Sequence, residues 1–256
     1  MSSPPGRAGT VGLFATCLMN AMRPNIGFAA ARLLEDAGWR VEVPREQTCC
    51  GQPAYNGGDE DAARALARRT IAQFEAFDAL VAPSGSCLAT LKHDYPRLLR
   101  DDPLWAGRAQ ALADKSWELL TFLHERVGPE HIRSRFPHRV TYHDSCSGLR
   151  QLGIHEAPRA LLARVEGLRL VEAEEREVCC GFGGTFSVKY PALSERLAEN
   201  KVQRLLATRA EVVLGGDLGC LLHLAGRLSR ICAPVRVYHT VEVLAGLADG
   251  PGIGQA

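Results

Sequence analysis

Residues 39–51 read WRVEVPREQTCCG, and residues 168–181 read LRLVEAEEREVCCG. Each begins as a short β-rich run, passes through a charged loop, and ends in two adjacent cysteines followed by a glycine. Packing alone gives no reason for such a pair, and none for using it twice. The other cysteines extend the match. In order they are Cys17, Cys49, Cys50 and Cys87, then Cys146, Cys179, Cys180 and Cys220, with Cys232 left over. The first set has 31 residues before its pair and 36 after it; the second has 32 and 39. One plan, C, CC-G, C, is used twice, the signature of an internal duplication.

The flanking segments repeat too. TVGLFATC (10–17) and RVTYHDSC (139–146) are short strands that end at a cysteine. NIGFAAARLLEDAG (25–38) and HEAPRALLARVEG (155–167) have helical periodicity, as do the longer GDEDAARALARRTIAQFEAF (58–77) and ALSERLAENKVQRLLAT (192–208). DALVAPSGSC (78–87) and AEVVLGGDLGC (210–220) read as buried strands ending in turns that contain glycine, and SWELLTFLHERV (116–127) resembles RVYHTVEVLAGL (236–247) as a helical region closing each repeat. Alternating strands and helices predict an α/β chain of two similar Rossmann-like lobes, each with a mostly parallel sheet. Sites in such sheets form beyond the carboxyl ends of the strands, where every paired position of the cysteine plan falls. The expected division is a disordered segment at 1–9, a first lobe over 10–128, a second over 129–250, and a flexible tail at 251–256.

Composition narrows the function. The chain has 256 residues, 46% of them hydrophobic, with 30 basic and 29 acidic side chains for a net charge of +1. That balance supplies neither the basic footprint of a nucleic-acid binder nor a polybasic membrane anchor. The start, MSSPPGRAGTV, breaks any secretory apolar stretch with Pro and Gly, and no run reaches the roughly 20 apolar residues of a membrane span. A cytoplasmic location is expected. There, thiols stay reduced, so nine cysteines point to metal or redox chemistry rather than structural disulfides.

Thiolates are soft ligands that suit zinc or an iron–sulfur cluster. Zinc ribbons draw on C-x-x-C knuckles, which neither half contains. Adjacent cysteines at a turn instead send side chains in different directions, as an extended cluster needs. Gly51 and Gly181, behind each pair, allow positive φ and close backbone approach, with amides free to donate to sulfur.

The doubled plan, with CCGQP in the first half and HDSC and CCGFGG in the second, resembles the cysteine-rich CCG-domain family. That family includes the B subunit of heterodisulfide reductase and the iron–sulfur subunit of glycolate oxidase. No ferredoxin-like C-x-x-C-x-x-C-x-x-x-C-P segment is present, and FATCLMN and PSGSC are similar to the family's short lactate-utilisation branch. The resemblance implies an iron–sulfur electron-transfer subunit, working with the other subunits of an L-lactate oxidising complex that yields pyruvate. It implies Cys17, Cys49, Cys50 and Cys87, and Cys146, Cys179, Cys180 and Cys220, as ligands. The fuller family pattern ends each motif in C-x-x-C, whereas the tetrapeptides here are SGSC (84–87) and DLGC (217–220). Four thiolates per repeat suit one [4Fe–4S] cluster each, and the missing fifth weakens the alternative of a disulfide reductase of the heterodisulfide-reductase type; a zinc-bound structural protein is the other alternative.

Ser84 and Asp217, at the missing positions, are candidate oxygen ligands or supporting groups, with turn roles as the plainer reading. His143 and Asp144 beside Cys146, and more weakly His239, Lys189 and Tyr190, are further candidates. Cys232 reads as a packing residue. No G-x-G-x-x-G turn follows a strand, which argues against hydride chemistry by this chain alone.

Overall fold

A computed structural model describes residues 8–255. The first repeat runs β1 (Ala8–Leu13), α1 (Cys17–Met22), α2 (Asn25–Asp36), β2 (Trp39–Glu42), α3 (Gln52–Gly57), α4 (Glu60–Phe74), β3 (Ala79–Ala82), α5 (Gly85–Ala89), α6 (Tyr95–Leu99), α7 (Ala106–Asp114), β4 (Ser116–Glu118) and α8 (Leu119–Phe122). The second runs β5 (Arg139–His143), α9 (Glu156–Leu162), β6 (Arg169–Leu170), α10 (Thr185–Lys189), α11 (Pro191–Ala207), β7 (Val212–Gly215), α12 (Leu218–Arg230), β8 (Arg236–His239) and α13 (Thr240–Leu244). Their sheets have the orders β2-β1-β3-β4 and β6-β5-β7-β8, and every strand pair is parallel. This is a duplicated α/β fold.

Local chemistry accounts for the elements. α2 buries Ile26, Ala29, Ala30, Leu33 and Leu34, the i, i+3, i+4, i+7, i+8 stripe of an amphipathic helix. Asp59 caps α4 by accepting from the Ala62 amide at 3.0 Å, with Glu60 and Asp61 in the first turn to complement the helix dipole. β3 (ALVA) and β7 (VVLG) are buried along their whole length because helices cover both faces of each sheet.

One of the buried clusters spans both repeats. Val11, Leu13, Ala30 and Leu34 of the first belong to the same buried cluster as Val140, Tyr142, Leu161, Tyr238 and Val241 of the second. Burying each large apolar side chain is worth about 1.5–3 kcal/mol, so the seam is a main source of stability. Arg23 crosses it to the buried Glu242 at 2.8 Å.

Four expectations need correction. The segments opening at Ser116 and Arg236 each begin as a strand, β4 and β8, before turning helical; three or four residues are too few to show alternation. Residues 1–7 of the expected disordered start lie outside the described residues, and Ala8 and Gly9 already belong to β1. The segment from 251 folds back, with Ile253 buried and its amide on the Val237 carbonyl at 2.7 Å; residue 256 lies outside the described residues. Cys232 is exposed rather than packed, because it terminates α12 with a φ of 53°.

Candidate metal centres

In each sheet the order reverses between the first and third strands of the repeat, opening a crevice at their carboxyl ends. The cysteines occupy these crevices. In the first, Thr16 caps α1 and fixes Cys17 as its first residue. Gln47 then clips the loop carrying the pair to the end of β1: its Oε1 accepts from the Ala15 amide at 2.8 Å and its Nε2 donates to the Leu13 carbonyl at 3.1 Å. The Cys50 carbonyl accepts from the buried Tyr95 hydroxyl at 2.8 Å. Ser84 caps α5, accepting from the Cys87 amide at 3.4 Å, while Gln52 Nε2 reaches the Ser86 carbonyl at 3.1 Å and ties α3 to α5.

The thiols therefore converge. Cys17 Sγ lies 3.8 Å from Cys49 Sγ, Cys49 is within hydrogen-bonding reach of Cys50, and Cys50 of Cys87. The second set repeats the chain of contacts from Cys146 to Cys179, Cys180 and Cys220. Each set is an arc of neighbouring thiols. Gly51 and Gly181 stand behind the pairs with φ of 88° and 87°, the left-handed turn expected of them. The Gly181 amide donates to Cys179 Sγ at 3.3 Å.

Proton sharing along each arc singles out one sulfur. Hydrogen bonds from Cys17 and Cys50, joined by the Gly51 amide, hold Cys49 far below the ordinary thiol range, at about 2. Cys146 and Cys180, with the Gly181 amide, do the same for Cys179, also to about 2. Cys17, Cys50, Cys146 and Cys180 are pushed up in return, first by the hydrogen bond to that neighbouring sulfur and then by burial. The hydrogen bonds thus favour the thiolate, the form that binds metal, at the first cysteine of each pair.

The surroundings differ. The first arc lines a cavity of about 320 Å³ whose far wall comes from the second repeat, including Phe182, Val188 and Asp217. Phe182 lies flush on Gly219, where an added Cβ would meet its ring at 2.4 Å. The second arc is backed by groups absent from the first: His143, and Lys201, which is 0% exposed and donates to the Arg176 carbonyl at 2.7 Å. Burial lowers the affinity of Lys201 for its proton, while the carboxylate of Asp144 and the nearby sulfurs restore part of it. His143 is held neutral, its pKa lowered to about 3 by burial and by the Lys201 charge.

Ser84 and Asp217 do not sit equivalently. Asp217 leaves its own arc and crosses the seam, its Oδ2 accepting from the Ser86 amide at 2.9 Å and from Ser84 Oγ at 3.4 Å. Both border the first cavity. Asp144 is buried in a bidentate pair with Arg159, 2.8 Å on each arm, and has no free oxygen to offer. His239 caps α13 through Nδ1, with Glu242 completing the capping box. Lys189 and Tyr190 end α10 and border neither the cavity nor an arc. Sequence reading missed Gln47 and Lys201; a lysine in an amphipathic helix reads as solvated, and only its alignment with Thr70 of α4, buried in the other repeat, hints otherwise.

Soft sulfur donors and amides aimed at sulfur, joined in the second crevice by an orphaned imidazole, fit a metal or an iron–sulfur group in each crevice. The pairing of two parallel sheets with two cysteine arcs defines a duplicated, cysteine-rich α/β protein whose clustered cysteines suggest metal or iron–sulfur binding. The chain belongs to the cysteine-rich (CCG) domain family, whose model matches residues 11–92 and 140–225. It is 45% identical over 236 residues to lactate utilization protein A of an Exiguobacterium species, covering 91% of this chain and 96% of that protein. It is 44% identical over 234 residues to lactate utilization protein A of Bacillus cytotoxicus, covering 91% and 98%. Among solved structures, a hypothetical protein from Helicobacter pylori shares the fold with a TM-score of 0.67 at 11% identity; the match covers 97% of this chain and 50% of that one. No helix among the described residues is long and apolar enough to cross a membrane.

Proposed function

We propose that this chain is the iron–sulfur electron-transfer subunit of a complex that oxidises L-lactate to pyruvate. Cys17, Cys49, Cys50 and Cys87 hold one cluster of the [4Fe–4S] type, and Cys146, Cys179, Cys180 and Cys220 hold a second. The observation that carries this reading is the pair of four-thiol arcs in a chain so similar to lactate utilization protein A. An arc with two adjacent sulfurs supports a group with several metal atoms better than a single tetrahedral ion. The complex works in the cytoplasm, and its other subunits bind the acid and remove its hydrogens.

A bound cluster would supply one-electron chemistry. The residues around it would govern access and charge. Hydrogen bonds from neighbouring thiols favour the metal-binding thiolate form at Cys49 and Cys179. Gly51 and Gly181 let amides approach sulfur, and Gln47 and Tyr95 hold the first pair against β1 and α6. Lys201 offsets negative charge at the second arc. With Ser84 in place of a fifth thiolate, the first crevice lacks the ligand set of a disulfide-cleaving centre.

Anaerobic reconstitution with iron and sulfide, followed by electron paramagnetic resonance of wild type, Cys50→Ser and Cys180→Ser, tests the reading. Two reducible signals are expected, one lost in each variant. Colourless protein with one zinc per repeat, or spectra unchanged in both variants, would overturn it. Reduction of a small disulfide by the purified chain alone would favour the reductase instead.

A further inference from the structure

Three residues before its first cysteine, the first repeat has Phe14 and the second has His143. The two occupy matching places at the end of the leading strand of each sheet. Phe14 is buried in an apolar cluster, its ring 5.7 Å from that of Phe74. His143 is as deeply buried, at 1% exposure, yet neither ring nitrogen has a hydrogen-bond partner. An unmet buried polar group costs about 1–3 kcal/mol. A position that takes phenylalanine in one repeat has no need of that cost for packing.

The ring faces sulfur. A nitrogen of His143, Cys180 Sγ and Cys220 Sγ lie within 4.8 Å of one another, the one trio of potential metal ligands this close among the described residues. Asp217, which stands where the family has a fifth cysteine, turns its Oδ2 across the seam to Ser86 and Ser84 instead.

We propose that His143 is a protein ligand of the second centre, binding iron through a ring nitrogen beside Cys180 and Cys220. This rests on the iron–sulfur reading above. The first arc has sulfur, the Ser84 hydroxyl and the Asp217 carboxylate on its cavity wall but no imidazole, so the two centres are chemically unlike.

Pulsed electron paramagnetic resonance of the reconstituted, reduced full chain decides the matter, with histidine at natural abundance and then labelled with ¹⁵N. A strong nitrogen coupling that changes isotope with the label, disappears in His143→Gln and survives in His239→Gln is expected. The labelled wild type is informative even where a variant fails to fold. Iron and sulfide bound at both arcs with no label-sensitive coupling would overturn the ligand and leave the proposed function standing. A chain that takes up no iron would sink both.

Discussion

Glu118 is the last residue of β4, where its register partner on β3 is Ala82; His239 holds the matching place in β8, opposite Gly215. Both side chains cap the helix that follows. Glu118 is buried at the seam; its Oε2 accepts from the Thr121 amide at 3.1 Å, and its Oε1 has no partner. Burial raises its pKa from 4.5 to about 8, outweighing the amides of Thr121 and Leu120, with the Asp217 charge adding to the rise. A folded value above the unfolded one means stability that is complete below pH 4.5 and lost as pH climbs to about 8. At about 1.4 kcal/mol per unit, the loss between pH 5 and pH 9 has a ceiling of about 4 kcal/mol, and relaxation around the carboxylate reduces it to about 2. Glu118→Gln keeps an acceptor for Thr121 and cannot ionise. Urea unfolding of the metal-free, reduced chain should show the variant gaining about 2–4 kcal/mol on wild type between pH 5 and pH 9. A gap between the two that does not change with pH would refute the reasoning.

Other perturbations separate the two repeats. An alanine at Gly51 would meet Leu66 Cβ at an ordinary contact distance of 3.5 Å and bears only the left-handed backbone, about 1–2 kcal/mol, whereas at Gly181 its Cβ would lie 2.5 Å from the Ser194 carbonyl oxygen. Urea titration should find Gly181→Ala worse by a further 1–3 kcal/mol or so. Asp217→Ala strips the Ser86 amide of its acceptor; it should cost about 1–3 kcal/mol and, though the residue belongs to the second repeat, lower iron retention at the first arc, read from the signal that Cys50→Ser removes. Arg159→Ala strands the buried Asp144 carboxylate and should cost about 3–5 kcal/mol by the same titration.

Much of the fold could be read because duplication prints it twice. Strand, cysteine and helix recur in step, and a cysteine just past a parallel strand has few places to go other than the crevice. The pairs and their glycines were legible for that reason. β4 and β8 were not, being short and running directly into helices. The seam was hidden as well, since nothing in DLGC says that Asp217 serves the other repeat. Nor does a hydrophobic pattern reveal that Lys201 faces inward, or that His143 lacks the partner its burial demands; both follow from packing between elements far apart in sequence.

The proposed function requires two centres, each held by one arc. Iron and acid-labile sulfide per chain, measured on anaerobically purified wild type, Cys50→Ser and Cys180→Ser, tests this most directly. Equal amounts of iron and sulfide in wild type, falling by about half in either variant, are predicted for two four-iron clusters with four sulfides each. Full iron content in either variant, or zinc in place of iron in the wild type, would contradict it.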